Sequence, residues 1–359
     1  MAGNRSRGVL SRICRRCLGS YLFRAGKIWN HIPDSLRLLS PGRAYGRHLH
    51  AVARLHAERK QFFATFFLRN RAELELMRRL LDQKSVGSTI NIAVLACSKG
   101  AEVYSVLWAL HSTRPDLKFS IHAIDISQEI LNFARKGVYW FDRQDVSTGK
   151  VDTDVAKQND LAFNTSKDQN APVFGRMTSD ELESMFEIEG NQAKVRSWLK
   201  EQITWLRGDA GDPALASVLG PQDIVLANRF LCHMDATAAE KCLRNIARLV
   251  KPGGYLFVSG IDLNVRTKVA RDLGWKPVPD LIRDIHEGDP SLRQGWPLQY
   301  WGLEPFWDDR SDWSIRYASV FQIGEASSGH VKQSSSGGDE LHRVTPPALT
   351  QRVATRCVL

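Results

Sequence analysis

The period of the apolar positions changes abruptly near residue 96. Ile92-Ala93-Val94-Leu95-Ala96 is an unbroken apolar run of strand length, the pattern of a strand buried on both faces. Small residues follow in Cys97-Ser98-Lys99-Gly100, where Gly100 can take a positive φ at no steric cost. From Glu102 onward Val103, Val106, Leu107 and Leu110 recur at helical spacing. Strand, tight turn and helix form the first half of a βαβ unit. Phe119 to Ile124 predicts a second strand, which runs into Asp125, and Ile203–Leu206, Asp223–Ala227 and Tyr255–Gly260 predict three more. Ala236–Val250 reads as a helix stopped by Lys251-Pro252-Gly253-Gly254. The fold class this predicts is α/β, an open, mostly parallel sheet with helices on both faces. In such sheets a ligand sits outside the carboxyl ends of the strands, at the turn after the first one.

The flanking segments carry weaker patterns. Val9 to Phe23 fits a basic amphipathic helix within an Arg-rich start, read either as a poorly ordered terminus or small basic helix packed beside the domain, or as a targeting or membrane-surface segment. Arg43 to Asp82 reads as helical, which would put Thr65 and Arg69 on one helix face. Asp142 to Ala171 is polar and reads as an insertion loop. Thr178-Ser179-Asp180-Glu181 fits a capping box opening a short helix, and Gln192 to Trp205 alternates like a hairpin or ribbon. Trp275, Trp296, Tyr300, Trp301, Trp307 and Trp313 crowd a Pro- and Gly-containing stretch, which would either floor an acceptor pocket or pack on the sheet edge. Trp313 to Ile323 alternates like a final strand, and Ser and Gly dominate after Gly324.

The turn after the first strand also discriminates between ligands. It is neither G-x-G-x-x-G nor G-x-x-x-x-G-K-[ST], so the dinucleotide and phosphate-loop fingerprints are absent, and a nicotinamide oxidoreductase is excluded on that ground. Glu102 would repel a diphosphate and welcome a cation. Asp125, at the tip of the second strand, can accept hydrogen bonds from both ribose hydroxyls. An adenosine ribose without phosphate, joined to a cationic group, describes S-adenosylmethionine.

The same residues carry a resemblance. Ala96-Cys-Ser-Lys-Gly-Ala-Glu-Val-Tyr-Ser105 resembles the A-x-x-S-x-G-x-E-x-Y-S motif of CheR-type methyltransferases, which esterify receptor glutamates. Ala123 to Tyr139 resembles the second motif of that family, and Thr65-Phe-Phe-Leu-Arg69 its Thr-x-x-x-Arg segment. Asp223 to Asp235, with Leu249 to Phe257, resembles its fourth and fifth strands. The likeness runs over residues 50–260 or so.

It implies a Rossmann-like class I methyltransferase sheet with helices on both faces, an N-terminal helical subdomain and a small β insertion. The implied division is a basic, poorly ordered segment at 1–42, the helical subdomain at 43–88, the methyltransferase domain at 89–324 and a disordered tail at 325–359. Within the domain, 142–175 is the polar loop, 176–206 the small helix and β insertion, and 262–312 the aromatic acceptor-side segment. The implied cofactor contacts are Thr65, Arg69, Ala96, Ser98, Gly100, Glu102, Asp125, Ile126, Asp209, Ala210, Asn228 and Arg229. Arg69 would clamp a carboxylate. The family usually reads Arg-Asn where Asn228-Arg229 stands here, and it places a Tyr where His233 stands. His233 is therefore either a structural or orienting ring or a candidate base for a hydroxyl or amine acceptor.

Charge and cysteines limit the partners. Residues 1–60 carry 13 Lys/Arg against Asp34 and Glu58, a net +11, and the remaining 36 basic and 37 acidic residues leave −1. The +10 of the whole chain thus belongs to its start, and a nucleic-acid partner is not inferred from it. Cys97 and Cys232 lie in apolar strand contexts that suit reduced thiols of a cytoplasmic protein, with organelle targeting through the basic start as the alternative. Cys14 and Cys17 have ligand spacing but no second pair, so no metal is expected, and no run is long enough for a membrane span.

Transfer of a methyl group to an ionised carboxylate needs no general base, so the lack of a Ser-His-Asp or Cys-His set does not count against an enzyme. The sequence points to a methyltransferase acting on a protein carboxylate or a small O or N acceptor. A chain that keeps the fold as a cofactor-binding or scaffold protein is the second reading.

Overall fold

The computed structural model describes residues 3–56, 65–140, 173–289, 295–298 and 304–324, with side chains from residue 17 onward. Strands β1 (Thr89–Leu95), β2 (Lys118–Asp125), β6 (Ile203–Arg207), β7 (Gln222–Asn228), β8 (Val250–Ser259), β9 (Lys276–Pro277) and β10 (Val320–Gln322) form one sheet. Its order is β6-β2-β1-β7-β8-β10-β9. The first five strands are parallel, and β10 runs antiparallel to both β8 and β9. This is the Rossmann-like α/β fold that the strand pattern predicts.

β1 shows why the apolar run is unbroken. Ile92 and Val94 enter the core on one face of the sheet, Ala93 and Leu95 that on the other, and all four are buried. A strand covered on both sides has no position for a polar residue. From β1 the chain moves outward through β2 to β6, then returns to place β7 on the other side of β1. The crevice at that reversal, beyond the carboxyl ends of β1 and β7, is the position such sheets offer a ligand.

A second sheet, β3 (Val138–Trp140), β5 (Gln192–Val195) and β4 (Phe186–Glu189), is antiparallel. The hairpin is therefore Phe186–Val195 rather than Gln192–Trp205, and Trp205 belongs to the main sheet. The capping box is formed as predicted, with Thr178 accepting from the Glu181 N–H and Glu181 accepting from that of Thr178, and it opens the helix Ser179–Met185. Phe67, Tyr139, Phe174 and Phe186 pack ring on ring where this sheet meets the body, with centroids 4.9–6.1 Å apart.

Of the alternatives for the basic start, the helix packed beside the domain is the one found: the segment is helical over Gly3–His31 (α1), and beyond the short α2 (Asp34–Arg37) Leu49 of α3 (Ser40–His56) packs with Ala25 and Trp29. Two other expectations change. Helix α4 (Arg71–Leu80) follows, but residues 65–70 between are not helical, so Thr65 and Arg69 do not share a helix face. Loop contacts outcompete the helix there: the Phe67 N–H bonds the Val173 carbonyl at 2.9 Å and the Leu68 N–H bonds Ser105 Oγ at 2.9 Å. The last apolar stretch is a helix, Trp313–Tyr317, followed by the three-residue β10. Trp313 and Tyr317 are four apart as well as alternating, and both pack on Phe306.

Of the aromatic segment, Trp275 packs on Phe321 at the sheet edge, while Trp296 packs on Trp29 of α1. Tyr300, Trp301, nearly all of the polar loop at 142–175 and the tail lie outside the described residues.

Candidate active site

The loop after β1 is held in an unusual backbone conformation. Among the described residues five non-glycines have positive φ: Leu68, Ala96, Ser98, Arg229 and Leu281. Three of them, Ala96, Ser98 and Arg229, line one pocket at the carboxyl ends of the strands, and Leu68 adjoins its Arg69. Residues in this region cost free energy and persist where the surroundings dictate them, so their clustering marks a functional site. Here Asp125 is part of the cause. Its two carboxylate oxygens accept from the Ser98 N–H at 2.9 Å and the Ser127 N–H at 3.0 Å. Gly100 then takes φ +85° as the cap of α5 (Ala101–Thr113).

Two carboxylates meet in this pocket. Glu102 lies in the first turn of α5 and Glu73 in the first turn of α4, both at helix ends whose dipole favours an anion. Asn228, the last residue of β7, gives one side-chain N–H to Glu73 Oε1 at 2.7 Å and the other to Glu102 Oε1 at 2.8 Å. Its oxygen accepts from Ser259 Oγ at 2.8 Å, in register across β7 and β8. Burial pushes the Glu73 carboxyl up to about 7, and the nearby Glu102 adds to the rise. Glu102 is raised as well, by burial, against the opposing pull of Asn228 and Arg229. One buried and one half-buried acid thus share a single neutral donor, with Arg229 acting on both.

Guanidinium groups gather beside them. Asp289, only 1% exposed, pairs with Arg69 Nε at 3.3 Å, with Arg176 Nη2 at 2.9 Å and with Arg229 Nη1. Burial, and then Arg229, push the Arg69 guanidinium down to about 9, still cationic at neutral pH. Arg69 and Arg176 also stand over the Phe66 ring, 5.0 and 4.8 Å from its centroid. Three guanidiniums thus surround one carboxylate, and Arg69 and Arg229 also line the pocket that holds Glu73 and Glu102.

Of the residues the sequence singles out, Thr65, Arg69, Ala96, Ser98, Glu102, Asp125, Asn228, Arg229 and His233 line this one pocket. Gly100 stands behind it as the helix cap. Ile126 is exposed at the end of β2, and Ala210 is buried in the core on the other side of the sheet from Ile92. Asp209 is exposed and accepts from the Gly211 N–H at 2.8 Å, capping its own turn. Glu73, Arg176, Ser259 and Asp289 were not legible. Glu73 had one local signal, as the third residue after the helix-capping Asn70, but Asp289 had none.

Parts of the chain are similar to known proteins. Residues 64–174 match the family described as CheR methyltransferase, SAM binding domain, and residues 171–258 match a methyltransferase domain family. The chain is 23% identical over 225 residues to the probable biofilm formation methyltransferase WspC of Pseudomonas putida, covering 62% of this chain and 46% of that protein. It is 24% identical over 234 residues to the WspC of Pseudomonas aeruginosa, covering 64% and 48%. The chain thus spans about half the length of these curated relatives. Among solved structures, the N-methyltransferase NodS of Bradyrhizobium japonicum with S-adenosyl-L-homocysteine is 15% identical, covering 58% of this chain and 76% of that one, at a TM-score of 0.30.

Proposed function

We propose that the chain, whose residues 64–174 match the family described as CheR methyltransferase, SAM binding domain, transfers the methyl group of S-adenosylmethionine to an acceptor carboxylate. The observation that carries the proposal is the pair Glu73 and Glu102, which share the two donors of one Asn228 amide in a pocket that Arg69 and Arg229 also line.

The residues fit such a cofactor by their chemistry. Asp125 Oδ1 and Oδ2 each accept one backbone N–H and keep further lone pairs for the two ribose hydroxyls. Glu102 and Glu73 would face the cationic end, and Arg69 would hold the methionine carboxylate. The cofactor supplies an electrophilic methyl on sulfur. Arg229, held at φ +65° with its guanidinium on Asp289, would orient an acceptor carboxylate. The guanidiniums of Arg69 and Arg229 in the pocket lining support an anionic acceptor over a neutral one. No proton has to leave such an acceptor, so His233 would orient rather than act as base.

A second reading, a hydroxyl or amine acceptor deprotonated by His233, draws on the presence of that ring in the same pocket. Two measurements separate the alternatives. Calorimetric titration of S-adenosylhomocysteine should show micromolar binding that Asp125→Ala abolishes, and absence of binding by the unaltered protein would sink the enzyme reading. Methyl groups transferred to a carboxylate are released by mild base, whereas ethers and amines survive.

A further inference from the structure

We propose that the outer face of α1 docks this protein on an anionic membrane surface. The inference stands apart from the methyl-transfer reading and rests on how α1 divides its residues. Leu22, Ala25, Gly26 and Trp29 recur at helical spacing and are buried, the last against Tyr45 and Trp296. The opposite face consists of Ser20, Phe23, Arg24, Lys27, Ile28 and His31, also at helical spacing, and every one is exposed. Phe23 is 66% exposed and Ile28 59%. The short helix that follows, Asp34–Arg37, and the residues just after it carry Leu36, Leu38 and Leu39, each more than half exposed.

Large apolar side chains left in water this densely mark an interaction site. Their charged neighbours decide its chemistry. Every Lys, Arg, Asp or Glu between Gly3 and His31 is cationic, and Lys27 Nζ lies 4.6 Å above the Phe23 ring. Asp34, the acid nearest the helix end, is bonded to Arg37 at 2.9 Å. A helix with cations interleaved among Phe and Ile, and no acid, is built to lie in a headgroup layer, with the apolar groups entering the acyl boundary and the cations meeting anionic lipid. A nucleic acid would use the cations and leave Phe23 and Ile28 in water. A second copy of the chain would oppose one +11 segment to another. The lipid surface is the occupant that satisfies both sets of residues.

The buried face also joins this surface to the rest of the molecule. α1 packs on α3, and Arg54 of α3 bonds Asp262, just beyond the end of β8, at 2.5 Å.

The test is co-sedimentation of the full chain with phosphatidylcholine vesicles with and without phosphatidylserine. Binding is expected only with phosphatidylserine and should fall as salt rises. Arg24→Gln with Lys27→Gln should weaken it roughly thirtyfold at low salt, and Phe23→Ser with Ile28→Ser at least tenfold. All four positions are exposed, so melting temperatures should not move. A fluorophore attached at Phe23→Cys should shift to the blue on the anionic vesicles, reporting insertion without loss of a folded variant. Failure to sediment with phosphatidylserine vesicles overturns the proposal. So does binding that the Phe23/Ile28 pair does not affect, or that double-stranded DNA competes away completely, since either assigns the face to phosphate attraction alone.

Discussion

Asn228 donates to Glu73 and Glu102 at once, so its amide keeps the two acids from facing each other bare. Asn228→Asp is nearly isosteric but replaces both donors by a third acid. We expect a loss of roughly 3 kcal/mol at pH 8 and a smaller one at pH 5, where the carboxyls protonate, read from urea melts at both values. Glu73 carries a pH prediction. Its carboxyl sits near 7 in the folded chain against an ordinary 4.5, so the folded state holds a proton that the unfolded state has released between those values. Stability from this group is present below about 4.5 and is lost as pH rises through 7, by an amount of order 3 kcal/mol at most. Glu73→Gln should flatten that decline. The same proton opposes a cation, so calorimetry should find S-adenosylmethionine binding strengthening from pH 6 to 8 in the unaltered protein and level in Glu73→Gln.

At the scale of elements, the turn between β1 and α5 depends on Gly100, and the close approach of the chain just after β8 to Arg229, just after β7, depends on Gly260. Gly100 has φ +85°, and a Cβ there would lie 3.1 Å from both the Ala134 Cβ and the Trp205 ring. Gly100→Ala should cost about 1–2 kcal/mol, seen as a lower melting temperature. A Cβ on Gly260 would come within 2.6 Å of the Arg229 Cα, so this glycine lets the β8 end pass under the left-handed Arg229. Phe67 anchors the Thr65–Arg69 segment among Tyr139, Phe174 and Phe186 and is fully buried. Phe67→Ala should cost roughly 3–5 kcal/mol. It should also expose the segment to proteolysis before the sheet unfolds. The β strands and α5 were legible because each has a single period over its whole length. The loop at 65–70 was not, because Phe67 and Leu68 spend their N–H groups on Val173 and Ser105, far along the chain.

On the scale of the whole molecule, Asp289 draws together arginines from three regions of the sequence. Removing its charge takes away the one carboxylate that all three guanidiniums pair with. Asp289→Asn should therefore destabilise the fold by about 3–5 kcal/mol, with part of the loss recovered in added sulfate, measured by thermal melts across a sulfate series. A surface ion pair such as Arg283 with Asp308 should show no comparable effect when broken.

The chain by itself determined the architecture and one half of the site. The apolar run at Ile92–Ala96, the turn at Gly100 and the acids Glu102 and Asp125 act locally, through period, backbone freedom and position at the end of a strand or the start of a helix. Such features are written in neighbouring residues and survive any packing that keeps the sheet. The tertiary structure alone decided which charges meet. Glu73 was brought to Glu102 through Asn228, and Asp289 to Arg69, Arg176 and Arg229, across separations that no local pattern encodes. Coulomb interaction and desolvation depend on distance in space, and that distance exists only once the sheet, α4 and the segment around Asp289 have packed.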